Sequence, residues 1–202
     1  TLQGGAGNDT LNAGLGNNTI DGGADWDQAS ADFSDRTGSV ALVNGGVAGT
    51  TYSATVGGVA AGSVTNVEVL SIYGGSGNDQ IGGVYTLPGS GNYSLTLDGN
   101  SGTDTAVVDF SGLSSSSGNS SDATNFYFYG YDTSGYQLAL NLYDIEKLDF
   151  TGTGGADSIN LSLLAGDTTL RGGGGDDYLA SGSGNDTLQG GAGNDTLNAG
   201  LG

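Results

Sequence analysis

Residues 172–198 read GGGGDDYLA SGSGNDTLQ GGAGNDTLN, which is three consecutive copies of one nine-residue pattern. Small residues, mostly glycine, occupy the first, second and fourth places, and an apolar residue occupies the eighth. Further copies begin at residues 4, 13 and 22, and separate copies begin at 74, 99 and 152. A short fixed period is typical of solenoids, in which each repeat packs only on its neighbours.

The sixth place of the pattern is acidic in every copy except one, where it is Asn18. Glycine at the early places permits the positive φ angles of a tight turn. Places seven to nine predict a short strand whose central apolar side chain points inward. The sixth-place acids are Asp9, Asp27, Asp79, Asp104, Asp157, Asp177, Asp186 and Asp195.

The composition excludes several classes of function. The chain has 42 glycines, no cysteine, no histidine, and three basic residues against 22 acidic ones, for a formal charge of -19. Nucleic acid is excluded as a direct partner, because phosphate binding needs lysine and arginine. Disulfides, thiolate zinc sites and histidine chemistry are also excluded. No run approaches the roughly 20 apolar residues of a membrane span, so we expect none.

Two longer repeats indicate how the chain is organised. Residues 27–34 and 66–81 match 104–111 and 144–159, so the chain holds two copies of one module. Residues 1–16 recur identically at 187–202. We expect the chain to be one unit of a head-to-tail tandem array, the alternative being a duplicated terminus. The predicted divisions are a nonapeptide roll at 1–30, excursion modules at 31–98 and 99–171, and a second roll at 172–202.

The pattern predicts an all-β fold, a parallel β-roll or β-helix solenoid. The stretches between nonapeptides are rich in strand-forming residues, and we expect them to form hairpins or extra coils that widen the roll. Residues 112–122, GLSSSSGNSSD, predict a flexible loop. In FYFY at 126–129 the alternation places the two phenylalanines on one face and the two tyrosines on the other. These tyrosines indicate either a sugar-stacking surface or ordinary local packing.

The spacing of the sixth-place aspartates favours calcium. Stacked coils lie about 4.7–4.9 Å apart, and two bare carboxylates at that spacing would repel by about 3 kcal/mol at an effective dielectric of about 20. A cation between them reverses the sign. Calcium takes oxygen ligands at about 2.3–2.6 Å and suits this gap, whereas magnesium is too small. The alternative is that these aspartates are ordinary turn residues.

The tandem nonapeptides resemble the RTX (repeats-in-toxin) family of calcium-binding β-rolls. The resemblance implies several bound Ca²⁺ ions, each held by carbonyls of two stacked turns together with their sixth-place aspartates. It implies three sites in the consecutive repeats, and for the third it supplies only one carboxylate. The implied ligand sets are Gly4, Ala6 and Asp9 with Gly23, Asp25 and Asp27; Gly172, Gly174 and Asp177 with Gly191, Gly193 and Asp195; and Ser181, Ser183 and Asp186 with Gly200 and Gly202.

The copies at 74, 99 and 152 lack a neighbour in sequence, which leaves calcium at Asp79, Asp104 and Asp157 open. Glu68 and Glu146 occupy matched positions in the two modules and predict a repeated structural role, such as bonding a turn backbone or a metal.

The resemblance also implies type I secretion and an extracellular or cell-surface location. The expected function is a calcium-dependent structural repeat of a bacterial surface protein (adhesin stalk, S-layer or filament), with no catalytic activity. The alternative is an accessory module of a secreted enzyme or toxin. Besides calcium and adjacent identical units, a polysaccharide or cell surface is a further candidate partner.

Overall fold

The strands of the chain form two sheets that enclose a single core. The computed structural model describes residues 1–45, 51–87 and 91–202, and in these ranges all regular structure is β-strand. Two ten-stranded sheets are present, called sheet A and sheet B here. Across the same ranges no helix is long and apolar enough to cross a membrane. The all-β prediction is confirmed.

Sheet A runs in the order β1-β3-β7-β6-β5-β9-β11-β15-β17-β19. Its strands are β1 Leu2–Ala6, β3 Asn18–Ala24, β5 Val40–Gly45, β6 Thr51–Val56, β7 Val59–Thr65, β9 Gln80–Val84, β11 Thr105–Asp109, β15 Lys147–Thr151, β17 Thr168–Gly174 and β19 Thr187–Ala192.

Sheet B runs in the order β2-β4-β8-β10-β14-β13-β12-β16-β18-β20. Its strands are β2 Thr10–Leu15, β4 Gln28–Asp32, β8 Val69–Tyr73, β10 Tyr93–Asp98, β12 Ser115–Ser120, β13 Phe126–Tyr131, β14 Gln137–Tyr143, β16 Asp157–Asn160, β18 Tyr178–Ala180 and β20 Thr196–Asn198.

The nonapeptides build coils that alternate between the sheets. Each turn carries the chain from one sheet to the other, and equivalent strands of successive coils pair in parallel. The eighth-place residues stack in register, so that Leu11 pairs with Ala29 and Leu179 with Leu197. Buried side chains of both sheets form one hydrophobic cluster. Repeats with this alternation therefore fold as a β-roll because neighbouring coils share their apolar face.

Each excursion inserts one antiparallel strand into one sheet. In sheet A, β6 runs antiparallel to β5 and β7, and in sheet B, β13 runs antiparallel to β12 and β14. In each group of three strands, the strand that comes first in the chain pairs with the coil that follows the excursion. The strand that comes last pairs with the coil that precedes it. As a result β7 pairs with β3 while β5 pairs with β9. Likewise β14 pairs with β10 while β12 pairs with β16.

The prediction of a flexible loop at residues 112–122 is wrong. Residues Ser115–Ser120 form β12, which is hydrogen-bonded between β13 and β16. Gly118 faces inward, where a Cβ would overlap the ring of Phe128. Serine and glycine read as loop formers locally, but here their small side chains make room for an aromatic ring from the adjacent strand.

Part of the core is an aromatic cluster. Phe110 makes edge contacts with Tyr85, Phe128 and Phe150, at ring-centroid distances of 5.8, 6.3 and 5.8 Å. Phe128 also stacks on Phe150 at 5.2 Å. The predicted alternation in FYFY is confirmed, since Phe126 and Phe128 are fully buried and Tyr129 is exposed. The inward rings are therefore core residues.

Replacing Phe128 by alanine should lower the free energy of unfolding by about 3–5 kcal/mol, because a fully buried ring leaves a cavity. Urea unfolding at saturating calcium measures this loss. Tyr129→Ala, on the outer face of the same strand, is the matched control and should cost less than about 1 kcal/mol. Equal losses in the two variants would contradict this description of the core.

Candidate calcium-binding turns

Stacked turns are joined by one repeated hydrogen bond. The backbone N–H of a sixth-place residue donates to the carboxylate Oδ1 of the sixth-place residue in the next coil. Asp9 donates to Asp27 at 2.9 Å, and Asp177 donates to Asp195 at 3.1 Å. Each sixth-place aspartate after Asp9 therefore uses Oδ1 to fix the spacing of two coils, which leaves Oδ2 for another partner.

The first predicted site is assembled as expected from its sequence. Gly5 pairs with Gly23 and Ala6 with Ala24, so the turns 4–9 and 22–27 lie directly above one another. Asp25 adds a contact of its own, because its carboxylate accepts the N–H of Gly7 at 3.1 Å. The predicted ligands of this site, Gly4, Ala6, Asp9, Gly23, Asp25 and Asp27, therefore lie in one pair of stacked turns.

The second predicted site has the same construction. Gly173 pairs with Gly191 and Gly174 with Ala192, which stacks turn 172–177 on turn 190–195. The N–H of Asn194 donates to the Asp176 carboxylate at 2.8 Å. The predicted ligands of this site, Gly172, Gly174, Asp177, Gly191, Gly193 and Asp195, again share one pair of turns.

At the third predicted site the chain also brings its two segments together. The N–H of Leu201 donates to the carbonyl of Gly182 at 2.9 Å, which places Gly200 and Gly202 on the turn that holds Ser181 and Ser183. The Asp186 carboxylate accepts the N–H of Thr168 in the preceding coil at 2.9 Å.

The three separate nonapeptides do have neighbours in space. The N–H of Asp79 donates to Asp104 Oδ1 at 2.7 Å, so the turns at 74 and 99 are successive coils. The N–H of Asp157 donates to Asp177 Oδ1 at 2.9 Å, which joins the turn at 152 to the C-terminal repeats. These pairs of turns are 25 and 20 residues apart instead of the 18 of the consecutive repeats, so their stacking is not evident from the repeat pattern.

Five of the sixth-place aspartates keep a buried oxygen that has no hydrogen-bond partner. An ionised carboxylate oxygen held away from water and from any donor is costly, and such groups are normally paired or bound to a metal. In each case the oxygen is Oδ2, the one that faces its own glycine turn. The residues are Asp9, Asp27, Asp104, Asp177 and Asp186.

The oxygens around these carboxylates are backbone carbonyls. The Asp9 Oδ2 and the carbonyl oxygen of Gly22 lie over the Cα of Gly4, and the same pair recurs with Asp177, Gly190 and Gly172. Among the described residues no group of three or more acidic side chains could by itself hold a metal ion. Two carboxylates per site, with carbonyls supplying the other oxygens, suit a hard cation such as calcium.

Asn18 marks the turn in which an amide replaces the carboxylate. Its side-chain NH₂ group points at the centre of its own turn, where the nonapeptide carbonyls converge. The amide nitrogen of Asn18 thus occupies the position that a carboxylate oxygen occupies in the other turns. The accepting carbonyl oxygens, at 3.1–3.4 Å, belong to Ala13, Gly14, Leu15 and Gly16.

Asp79 and Asp157 differ from the other sixth-place aspartates, each of which we call a rung of the stack. Asp79 Oδ2 accepts the N–H of Gly75 at 2.7 Å, and Asp157 Oδ2 accepts the N–H of Thr153 at 2.6 Å. The hydroxyl of Ser116 donates to Oδ1 of Asp157 at 2.9 Å. At these two aspartates, hydrogen-bond donors of the protein therefore satisfy the carboxylate oxygens that calcium would contact at the neighbouring turns.

The electrostatics of the rungs disfavour a bare carboxylate. Burial raises the pKa of Asp104 to about 6, and its acidic neighbours, Asp79 foremost, add to the effect. Burial likewise raises the pKa of Asp157 and Asp177. Each of these carboxylates ionises more easily with a cation beside it. The turn carbonyls are further oxygen ligands for such a cation.

The prediction that the two glutamates bond to a turn backbone is confirmed. Glu68 Oε2 accepts the N–H of Asp27 at 2.7 Å, and Glu146 Oε2 accepts the N–H of Asp104 at 2.7 Å. Each glutamate therefore takes the place of an aspartate rung. The sequence signal for this was their matched position in the two modules.

These stacked glycine turns, with buried carboxylates and converging carbonyls, define the class of calcium-binding β-rolls. Comparison with protein families agrees: residues 1–32, 71–83 and 171–202 match the RTX calcium-binding nonapeptide repeat, in 4 copies. A search of curated proteins finds no match.

The chain therefore carries RTX calcium-binding nonapeptide repeats, and the resemblance drawn from the sequence is confirmed. RTX repeats bind calcium and are typical of secreted proteins, which suggests an extracellular location.

Replacing Gly152 by alanine should destabilise the protein by about 2 kcal/mol or more, because a Cβ there overlaps both the Asp157 carboxylate and the carbonyl of Gly172. Thermal or urea unfolding at saturating calcium tests this. Gly154→Ala, two residues along the same turn, is the control, since a Cβ there meets nothing within 4 Å. A similar loss in both variants would show that the close approach is unimportant.

Calcium binding should weaken as the pH falls from about 7.5 to about 5.5, because Asp104, with a pKa of about 6, must lose its proton to bind. In the calcium-free folded state the sign is opposite: the raised pKa makes that state less stable as the pH rises from about 4 to about 6.

Calorimetric titration with calcium at several pH values measures the effect on binding. Asp104→Asn should show a smaller pH dependence than the wild type. Asp122→Asn should keep the wild-type dependence, since hydrogen bonds from Thr124 and Asn125 lower the pKa of that exposed carboxylate. An unchanged profile in Asp104→Asn would refute the assignment of the proton to this rung.

Proposed function

We propose that the chain is a calcium-dependent structural repeat of a large secreted bacterial surface protein, such as an adhesin stalk, an S-layer protein or an extracellular filament. The observation that carries the proposal is the set of buried Oδ2 oxygens that lack a hydrogen-bond partner in stacked glycine turns. Calcium at these turns supplies the positive charge that the protein itself does not provide there. The expected result is a rigid rod.

Binding and folding are coupled in this proposal. The turns that would hold calcium exist only when coils are stacked, so the free energy of binding becomes free energy of folding. Without metal the formal charge of -19 opposes compaction. A chain of this kind stays unfolded where calcium is scarce and folds once it reaches a calcium-rich exterior, which suits export through a narrow channel.

Head-to-tail continuation of the array is part of the proposal. The identical segments 1–16 and 187–202 form corresponding coils, β1 with β2 at one end and β19 with β20 at the other. Strands β1 and β19 are the outermost strands of sheet A, and β2 and β20 are those of sheet B. An adjacent identical unit can therefore extend both sheets in the same register without a new kind of contact.

We propose no catalytic role for this chain. It has neither histidine nor cysteine, so a nucleophile and its base cannot be assembled from the usual side chains. The second candidate function is an accessory RTX module of a secreted enzyme or toxin whose catalytic domain lies elsewhere. The parent sequence after Gly202 distinguishes the two: a copy of 17–21 supports the array, and a hydrolase or other enzyme domain supports the accessory module.

A surface contact is compatible with the structural role. Tyr127 and Tyr143 form an edge-to-face pair on the outer side of sheet B, with ring centroids 6.2 Å apart. Tyr129 lies exposed on the same strand as Tyr127. Tyrosines on a flat polar sheet are suited to stacking on sugar rings, so this face is where we expect a polysaccharide or cell surface to bind.

Far-UV circular dichroism during a calcium titration tests the proposed function. Strand signal should appear cooperatively as calcium is added to chelated protein, and magnesium at the same concentrations should produce little of it, because it is too small for these turns. A spectrum of folded strands that is unchanged in excess chelator would refute calcium-dependent folding.

A further inference from the structure

Two short turns outside the glycine pattern occupy the same place in the stack as a nonapeptide turn. Asn66-Val67-Glu68 follows the coil of 22–27, and Asp144-Ile145-Glu146 follows the coil of 99–104. Neither short turn lies in the segments that match the RTX repeat. Each has three residues where the repeat has six, and its middle residue is fully buried in the core.

The sheet register assigns the glutamates to the sixth place. Gln28 pairs with Val69, and Thr105 pairs with Lys147. Gln28 and Thr105 are seventh-place residues that directly follow Asp27 and Asp104. The residues directly before Val69 and Lys147, which are the two glutamates, therefore stand where the next aspartate of a repeat would stand.

The hydrogen bonds support the same assignment. In the repeats the seventh-place N–H of one coil donates to the sixth-place carbonyl of the coil before, as Gln28 does to Asp9 at 2.9 Å. The N–H of Val69 donates to the carbonyl of Asp27 at 3.1 Å, and that of Lys147 donates to Asp104 at 2.9 Å. Each short turn thus reproduces both hydrogen bonds of a regular pair of turns, the N–H to carbonyl bond and the N–H to carboxylate bond.

The acceptor oxygens around these rungs repeat the arrangement of the nonapeptide pairs. Over the Cα of Gly22 lie Asp27 Oδ2 and the carbonyl oxygen of Asn66. Over the Cα of Gly99 lie Asp104 Oδ2 and the carbonyl oxygen of Asp144. In the regular turns the same two positions are filled by the aspartate and by the first-place carbonyl of the next coil.

The backbone of the short turns is held in an unusual conformation. Asn66 and Asp144 have φ angles of 52° and 51°, in the left-handed region that few residues other than glycine adopt. Asparagine and aspartate tolerate it best, and here it turns a carbonyl toward the preceding coil. The same geometry in both modules indicates that this carbonyl is needed.

Both aspartates of these rungs are fully buried, and each has an Oδ2 without a hydrogen-bond partner. No basic side chain is placed to neutralise them. The three basic residues pair with other acids: Arg36 with Asp35, Lys147 with Asp167, and Arg171 with Asp149.

We infer that Glu68 and Glu146 are calcium ligands, each completing a site with the preceding aspartate and the carbonyl of its own short turn. One site joins Asp27, Glu68 and the Asn66 carbonyl, and the other joins Asp104, Glu146 and the Asp144 carbonyl. The longer glutamate side chain spans the gap that a three-residue turn leaves. The roll thereby ends a calcium ladder where an excursion interrupts the glycine repeats.

Glu146→Gln and Glu68→Gln test this inference, which rests on calcium binding by the neighbouring nonapeptide turns. Glutamine keeps an oxygen that can accept the aspartate N–H, so the turn is retained while the charge is lost. Counting bound calcium by equilibrium dialysis, we expect each variant to lose one ion, or to bind it at least about tenfold more weakly. The double variant should lose two.

Asp109→Asn is the matched control. It removes one negative charge from β11, the strand after Asp104, but at the opposite end of that strand, where the carboxylate accepts the N–H of Ser111 at 2.9 Å. We expect it to keep the wild-type count and affinity. Asp177→Asn, in a regular nonapeptide pair, should lose an ion and shows that the method detects a single site.

A second measurement covers variants that are too unstable to count. The midpoint of thermal unfolding is followed against calcium concentration, and its slope gives the number of ions released on unfolding. A slope smaller by about one ion in Glu146→Gln supports the inference. A wild-type slope and count in both glutamine variants would overturn it, since the glutamates would then serve only the backbone. That result, with an ion still lost in Asp177→Asn, would leave the proposed function intact.

Discussion

The divided role of one carboxylate is the interaction on which this structure depends. In the coils after the first, the aspartate Oδ1 accepts a backbone N–H from the preceding coil and fixes the distance between coils, as between Asp9 and Asp27. At five rungs Oδ2 is left buried among turn carbonyls without a donor. The first oxygen holds the coils of short strands together, and the second is an acceptor that a bound cation would satisfy.

This division explains why the first-place glycines cannot carry a side chain. Above Gly4, Gly152 and Gly172 lie both the aspartate Oδ2 and a carbonyl of the next coil, where a Cβ would stand. The same crowding brings acceptor oxygens together with no protein donor between them. Asn18 is the informative contrast, because its amide supplies a donor to the carbonyls of its own turn.

The excursions extend this scheme. By inserting one antiparallel strand into each sheet, they let turns that are distant in sequence become successive rungs, such as those of Asp104 and Glu146. They also widen the core enough to hold the aromatic cluster around Phe110. A roll of glycine turns thus gains a middle section that is stabilised by side-chain packing.

The sequence by itself determined the class of fold, the sixth-place aspartates, the matched glutamates and the kind of metal. These depend on local periodicity, and a nine-residue repeat with one apolar place leaves little choice of coil. It also placed the predicted ligands of the three consecutive sites in turns that stack on one another, because alternate repeats of a continuous run lie on the same edge of the roll.

Only the tertiary structure decided which distant turns meet. The sequence left the copies at 74, 99 and 152 alone and made 112–122 a loop, because strand order within a sheet is not encoded in local periodicity. Pairing of β9 with β11 and of β16 with β18 stacks those copies on neighbouring coils, and pairing of β12 with β13 and β16 makes residues Ser115–Ser120 a strand. The choice is made by the fit of side chains between strands, such as Phe128 over Gly118, which no single segment contains.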